Sequence, residues 1–465
     1  MKKELNMLKI RKTRTEDLGD VEKIFIHARK MMKLNGNPTQ WGDSRPSMSL
    51  VEKDIANGDS YVVTEDERIA ATFAFIIGTD PTYLNIEEGR WFNNLPYGTI
   101  HRIASDNSVK GIFPFVIRWA KRFGIDIRID THKDNSIMIH QIEKQGFRYC
   151  GIITVDDGTK RNAYQLLRKV LVIAGPTAVG KTDFAIAVAK QLDGEIISGD
   201  SIQVYKGLDI GSAKADLKQR SEVPHYLIDI KEPSENYSVK EFQELGRRCI
   251  DDIGARKRLP IICGGTGLYI KACLYDFTFF DEDTEDDPYE SLTNEEIYNR
   301  LKEVDPDSLQ KIHVNNRKRL VRALNVYEKH SKGISAIRDE QQHRPIYDCL
   351  VIGLTDEREK LYQRIDERID GMIDNGLVDE IKELLNKGVS FDDQSMQGIG
   401  YKEFRAYFEK ERSIEECIQE VKRNTHHFVK RQYTYFNHQF ENIEWFADTD
   451  EAEKRIKEWY RNEIQ

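Results

Sequence analysis

Residues 169–182 read KVLVIAGPTAVGKT. The apolar run Val170-Leu171-Val172-Ile173-Ala174 suits a strand buried on both faces of a parallel sheet. It passes into Gly175-Pro176-Thr177-Ala178-Val179-Gly180-Lys181-Thr182, which fits G-x-x-x-x-G-K-[ST] at every fixed position. Phe184, Ala185, Val188, Ala189 and Leu192 then recur at helical spacing. A glycine-rich turn between a strand and a helix start captures anions, because unpaired backbone N–H groups point at phosphate oxygens. Lys181 adds a positive charge near the terminal phosphate, and the Thr182 hydroxyl suits Mg²⁺. The motif specifies a polyphosphate and leaves open a kinase, a nucleotide hydrolase and a transferase that expels diphosphate.

Further along, Gly194–Ser201 (GEIISGDS) reads as a second strand delivering Asp200 and Ser201 at its C-terminal end. Ligands of open α/β sheets bind at that edge, so Asp200 is expected near the phosphate loop. There it would orient Mg²⁺ or act as a general base; the plain alternative is a turn or helix cap. Tyr226–Ile230 resembles a third strand, with Asp229 where it could be mistaken for the Asp of a Walker B strand. Leu259–Cys263 is a fourth, running into Gly264-Gly265-Thr266-Gly267-Leu268-Tyr269. Four features at one edge, at 175–182, 200–203, 229 and 264–269, say more than any one of them.

The chain has 465 residues, enough for two or three domains. Its hydrophobic (39%) and charged (32%) fractions are those of a globular protein. Six scattered cysteines without C-x-x-C spacing argue against a disulfide framework or a zinc site. The first residues lack the apolar core of a secretory leader, and no apolar run approaches a membrane span. A cytoplasmic protein, monomeric and without a membrane partner, is expected. The net charge of −9 does not exclude RNA, since basic residues cluster at Arg317-Lys318-Arg319 with Arg322 and at Lys422-Arg423 with Lys430-Arg431. Unaided by other information, such a run is more often a solvated helix face.

Before the phosphate loop, residues 1–167 alternate strands and helices: Leu8–Arg11, Ser60–Thr64, Ile69–Ile77, Ile100–Ala104, Asp126–Asp130 and Phe147–Val155 as strands, with helices over Asp17–Met32, Val109–Phe123 and Asn135–Gln145. The layout is α+β, a sheet covered by helices. Through His101-Arg102-Ile103-Ala104, Val109-Lys110-Gly111-Ile112 and Asp130–Phe147 it resembles the GNAT-type N-acetyltransferases. The resemblance implies that Val109, Lys110, Gly111 and Ile112 hold the pyrophosphate of acetyl-CoA. Ser108 and Phe113 depart from that family's loop, which carries a basic or amide residue and a small residue there. Ile142 stands where many members place a Tyr acid.

Residues 168–465 resemble the bacterial tRNA dimethylallyltransferases. The matching stretches are GPTAVGKT (175–182), DSIQVYKGLDIGSAK (200–214), Tyr237-Ser238, GGTGLY (264–269), Asp305-Pro306, RLVRAL (319–324), Leu361-Tyr362 with Arg364-Ile365 and Arg368, GIGY (398–401) and Lys430-Arg431-Gln432 with Thr434. The resemblance implies a phosphate-loop α/β domain with a helical C-terminal part. It also implies transfer of dimethylallyl from dimethylallyl diphosphate, with Mg²⁺, to the exocyclic amine of an adenosine in the tRNA anticodon stem-loop. Asp200 is the implied base, Thr266 positions base and diphosphate, and Arg431 meets the diphosphate. Asp200, Ser201, Ile202, Gln203, Thr266, Lys318, Arg319, Leu320, Val321 and Arg322 are implied to touch tRNA. Three departures stand out. The insertion at 276–311 is shorter than in relatives and opens on an acidic run at 281–287, expected to face away from RNA. Gly199 replaces a small apolar residue. Asn424-Thr425-His426-His427 occupies a Thr-Arg-Gln position. A small-molecule kinase, a tRNA-binding protein without turnover, and a front domain acting on an unrelated small amine are the alternatives.

Overall fold

Seven strands make the first sheet: β1 (Leu8–Lys12), β2 (Ser60–Glu65), β3 (Arg68–Ile77), β4 (Tyr97–Ser105), β5 (Asp126–Thr131), β6 (Arg148–Thr154) and β7 (Lys160–Leu166). This is seen in a computed structural model that describes residues 8–277, 279, 287–340 and 344–461. The spatial order is β1-β2-β3-β4-β5-β7-β6, antiparallel except for β4 and β5. That parallel pair registers only over Tyr97–Thr99 against Asp126–Arg128, and the two strands separate beyond it. β4 also carries a bulge: its register against β3 shifts between Thr72 and Ala74, and Arg102 takes φ 54°. A bulge bends its strand and re-aims the side chains beside it.

The helices Leu18–Leu34 and Ile112–Lys121 cover the sheet, the second burying Ile112, Val116, Ile117 and Ala120. The sequence reading ends the sheet at Phe147–Val155. The structure adds β7 between β5 and β6, and a helix over Met48–Asn57. β7 was hidden because it buries Arg161 and Gln165 beside Ala163 and Tyr164, so its inward residues do not read as apolar.

The second sheet is wholly parallel: β8 (Lys169–Ala174), β9 (Gly194–Ser198), β10 (His225–Tyr226), β11 (Leu259–Gly264), β12 (Asp348–Leu354) and β13 (Ile443–Phe446), in the order β10-β9-β11-β8-β12-β13. Chain direction away from β8 reverses here, which opens a crevice at the carboxyl ends of the strands. The strand expected over Tyr226–Ile230 stops at Tyr226, because Leu227 (φ 61°) and Asp229 (φ 56°) are left-handed and break the ladder.

Arg168 joins the two sheets. Its backbone N–H and Nε both donate to the fully buried Asp126, at 2.9 and 3.3 Å, and its guanidinium reaches Asp251 at 2.5 Å. Asn93 and Gln165 complete the Asp126 carboxylate. Backbone also meets backbone here: a Cβ on Gly124 would lie 1.9 Å from the Gly254 carbonyl oxygen.

These sheets and their helices form one unit; Ala272–Ile346 form another. The second is helical, with Asn294–Val304 and Arg317–His330 packing Ile297, Leu301, Leu320 and Leu324 together. A capping box, Thr293 with Glu296, starts the first of these helices. The acidic residues 281–286 lie outside the described residues. Asp287 accepts a hydrogen bond from Arg317 at 2.6 Å.

Candidate active site

Strand β8 is fully buried from Val170 to Ala174 and delivers the phosphate loop at its carboxyl end. Gly175 (φ 143°) must be glycine, because a Cβ would sit 2.6 Å from the Leu354 carbonyl oxygen on the neighbouring strand. Gly180, also left-handed, is the N-cap of the helix Lys181–Leu192 and offers no side chain to its first N–H groups. Those donors stay open for an anion. Lys181 folds over the loop and donates to the Pro176 carbonyl at 2.5 Å.

Around this loop is a cavity of about 540 Å³, in the range of small-molecule sites. Of the residues singled out in the sequence, Thr177, Ala178, Lys181, Thr182, Asp200, Ser201, Ile202, Gln203, Thr266 and Arg431 line it. Gly175, Pro176, Val179 and Gly180 shape the loop behind them. Asp200 both caps a turn and lines the cavity. Its Oδ1 accepts from the backbone N–H of Ile202 (2.8 Å) and of Gln203 (3.3 Å), capping its own turn, while the carboxylate lines the cavity.

The GGTG turn is held against that carboxylate by backbone alone. Gly199 N–H donates to the Cys263 carbonyl (2.8 Å), and Thr266 N–H donates to the Gly199 carbonyl (3.2 Å). A Cβ on Gly264 would lie 2.3 Å from the Gly199 oxygen, so only glycine permits this approach. A Cβ on Gly199 would instead meet Ile270 and Ile262 at 3.0–3.2 Å, tight but small-residue sized.

The helix Ile414–Gln439 contributes Arg431 and Gln432. Buried Gln432 ties the two glycine-rich turns together: its Oε1 accepts from Thr177 N–H (3.3 Å) and its Nε2 donates to the Gly265 carbonyl (3.1 Å). Arg368, from the helix Arg358–Asp374, also lines the cavity. Arg368 and Gln432 stand in the matching stretches, but their sequence context alone gives them no role. Arg368 did carry a signal: it lies between Leu361, Ile365 and Ile369 on the buried side of its helix, where a charge is out of place.

The electrostatics suit an anion. Burial pushes the Lys181 ammonium down to about 8; Arg368 adds to this, and Cys263 and Asp200 oppose it. Burial also lowers the Arg368 pKa, with Asp200 opposing. The Cys263 thiol is pushed up to about 11 by burial, so it stays protonated. Asp229 is outside this cavity. It accepts from Lys214 (2.5 Å) and Arg220 (2.7 Å) and is an ion-pair anchor. His426 stacks on Tyr362 (centroids 4.0 Å apart) with Nε2 3.0 Å from Asp366, and it does not line the cavity. Among the basic residues expected to meet tRNA, Lys318, Arg319 and Arg322 are exposed on the helix Arg317–His330, whereas Leu320 is buried in the core of that unit.

Residues 203–439 match the family model described as IPP transferase, and residues 168–231 match that described as isopentenyl transferase. This chain belongs to the IPP transferase family. It is 48% identical over 295 residues to the tRNA dimethylallyltransferase of Anoxybacillus flavithermus, covering 62% of this chain and 94% of the relative. The tRNA dimethylallyltransferase of Geobacillus thermodenitrificans is 47% identical over 299 residues, with 63% and 94% covered. A solved eukaryotic dimethylallyltransferase acting on tRNA is 30% identical with a TM-score of 0.56, covering 63% of this chain and 77% of that one. A GNAT-family acetyltransferase from Streptococcus agalactiae covers a further 34% of this chain and 94% of its own, at 32% identity and a TM-score of 0.31. The family's stretches thus account for the cavity and leave the seven-stranded sheet outside it. Among the described residues, no helix is long and apolar enough to cross a membrane.

Proposed function

We propose that this chain transfers a dimethylallyl group from dimethylallyl diphosphate to tRNA in the phosphate-loop cavity, the acceptor being the exocyclic amine of an adenosine beside the anticodon. The observation that carries this is the meeting of Asp200, Thr266, Lys181, Arg368 and Arg431 on one cavity. Chain relatives at 45–48% identity bear the name of that activity.

The chemistry follows from the parts. The allylic carbon becomes cation-like as the diphosphate departs, so the barrier falls as the leaving charge is neutralised. Loop N–H groups, Lys181, Arg368 and Arg431 supply that neutralisation. Thr182 would hold Mg²⁺ with diphosphate oxygens and water, a donor set that fits the ion. Held there, it would supply Lewis-acid stabilisation of the leaving group. Asp200 takes the proton from the attacking amine, with its Oδ1 fixed by the turn it caps. Gln432 keeps the diphosphate loop and the Thr266 turn at a constant separation. An adenine from a loop enters such a cavity at less cost than one from a base pair. Exposed Lys318, Arg319 and Arg322 suit phosphate contacts.

The deciding experiment incubates the full chain with unmodified tRNA, Mg²⁺ and dimethylallyl diphosphate, beside an Asp200→Ala control, and analyses nucleosides by mass spectrometry. Dimethylallyl-adenosine that disappears in the control is expected. ATP turnover on a small molecule without tRNA product would establish the kinase reading instead.

Residues 1–167 fit a second, acetyl-CoA-dependent activity. Gly111 (φ 80°) caps the helix Ile112–Lys121 with nothing within 4 Å of a Cβ. The half-buried Phe113, which would crowd a phosphate if it faced the loop, packs against the core of the sheet. The N–H groups near Val109–Ile112 are thereby left for a pyrophosphate, and the thioester would lie where β4 and β5 part. We take 1–167 and 168–465 as the two functional domains of a cytoplasmic monomer.

A further inference from the structure

We infer that a second cavity, of about 880 Å³ in the first sheet, binds a small free amino acid, with His101 as the base that deprotonates its amine. His101 and Asp130 line it from β4 and β5, just past the point where those strands separate. The bulge at Arg102 brings His101 to this position.

The imidazole is oriented as a base. Asp80 lies 2.7 Å from His101 Nε2, and its other oxygen accepts from Thr82 N–H (2.8 Å) and Oγ1 (2.7 Å). An acceptor-only carboxylate places the ring proton on Nε2 and leaves the Nδ1 lone pair for the cavity. Nδ1 is 3.9 Å from Asp130 Oδ1, which accepts from the Tyr83 hydroxyl at 2.7 Å. The Asp130 carboxylate is therefore placed to receive an ammonium beside that lone pair.

The same carboxylate points to the other end of the ligand. Arg161 Nε is 4.0 Å from Asp130 Oδ2, and the residue is 6% exposed. Its NH1 has no hydrogen-bond partner, nor has the Oγ1 of fully buried Thr131. Both line the cavity. A buried guanidinium N–H without an acceptor costs free energy until an anion meets it. A carboxylate on Arg161 and Thr131, with an amine at Asp130 and His101, is the pattern of an amino acid.

The acyl step rests on the acetyl-CoA reading above; binding of the amino acid does not. In that step His101 Nδ1 takes one proton from the ammonium. The neutral nitrogen attacks the thioester carbonyl carbon, the C–N bond forms and the C–S bond breaks. The thiolate leaves with the nitrogen's second surplus proton, and His101 returns its own to water.

The test uses the full chain. The twenty protein amino acids are screened singly by thermal shift, then with acetyl-CoA by thiol release, and tRNA prenylation in each variant reports folding. At least one amino acid is expected to raise Tm and to drive thiol release. Arg161→Lys should raise KM for it tenfold or more with kcat kept within threefold. His101→Gln should lower kcat about 100-fold or more with KM kept. Both variants should prenylate tRNA normally. A Tm rise without thiol release upholds the amino-acid site and removes the acetyl-transfer reading. No response to any amino acid, or equal activity with decarboxylated amine analogues, overturns the inference.

Discussion

Asp200 caps a turn and is assigned a proton, and two substitutions separate these roles. D200A deletes the acceptor for Ile202 N–H and Gln203 N–H, at 2.8 and 3.3 Å. Loss of such a cap costs about 1 kcal/mol, within a range of roughly 0.5–2 kcal/mol. D200N keeps an amide oxygen in the Oδ1 position and so keeps the cap, but it cannot take a proton. General-base catalysis contributes about 10²–10⁴-fold, or about 2.7–5.4 kcal/mol of barrier at 1.36 kcal/mol per tenfold. The two variants should therefore differ in urea midpoint by the cap energy yet share a loss of 10²-fold or more in single-turnover prenylation. Single-turnover conditions are needed because product release limits many enzymes. If D200N prenylates tRNA within threefold of the parent chain, Asp200 is a structural cap and the base lies elsewhere.

Lys181 makes diphosphate binding proton-linked. Its folded pKa is about 8, below the ordinary 10.5, so calorimetry with inorganic diphosphate at pH 8.5 should show proton uptake that shrinks at pH 6.5 and vanishes in Lys181→Met. The unfolded chain holds more protons between about 8 and 10.5, so this group's contribution to stability rises with pH across that window. Gly265→Ala would set a Cβ 2.2 Å from Gln432 Nε2. Overpacking of this kind costs about 1–3 kcal/mol, and KM for dimethylallyl diphosphate should rise tenfold or more in initial-rate assays. Arg168→Leu removes the cation facing the buried Asp126 carboxylate and should cost about 3–5 kcal/mol in denaturant unfolding, and adding Asp126→Leu should not recover it, because Asn93, Gln165 and the residue-168 N–H then lose their acceptor. Glu380 accepts from the N–H groups of Asp209, Ile210 and Gly211 and from the Tyr401 hydroxyl. Glu380→Ala should cost about 1.5–3 kcal/mol and raise KM for tRNA.

What was legible in the chain was what a few consecutive residues determine. The phosphate loop needs one strand, two left-handed glycines and one helix, all within residues 169–192, and each stands where the spacing puts it. Asp200 was placed by the rule that ligands gather at strand ends. The same rule counted Asp229 among the edge features, because nothing local reveals that Leu227 and Asp229 turn left-handed and that Lys214 and Arg220 occupy the carboxylate. Gln432 escaped for a related reason. Its partners, Thr177 and Gly265, are 255 and 167 residues away in sequence, and a glutamine on a long polar helix carries no mark of that bond. Phe113 shows the limit from the other side: the resemblance puts an aromatic in an expected phosphate loop, and only the fold reveals that the residue is half-buried against the core.

His426 lies in the stretch where the resemblance implies an arginine. His426 is engaged with Tyr362 and Asp366 and does not line the cavity. Its neighbour Thr425 lines the cavity, so the helix presents this segment to the site through the smaller residue. Cationic side chains lining the cavity then include Lys181, Arg368 and Arg431, each delivered by a different helix. Burial lowers the pKa of both Lys181 and Arg368, and each is opposed in this by Asp200. Asp200 therefore faces the same buried cations that an anion in the cavity would meet, and such an anion would feel its repulsion as well as their attraction.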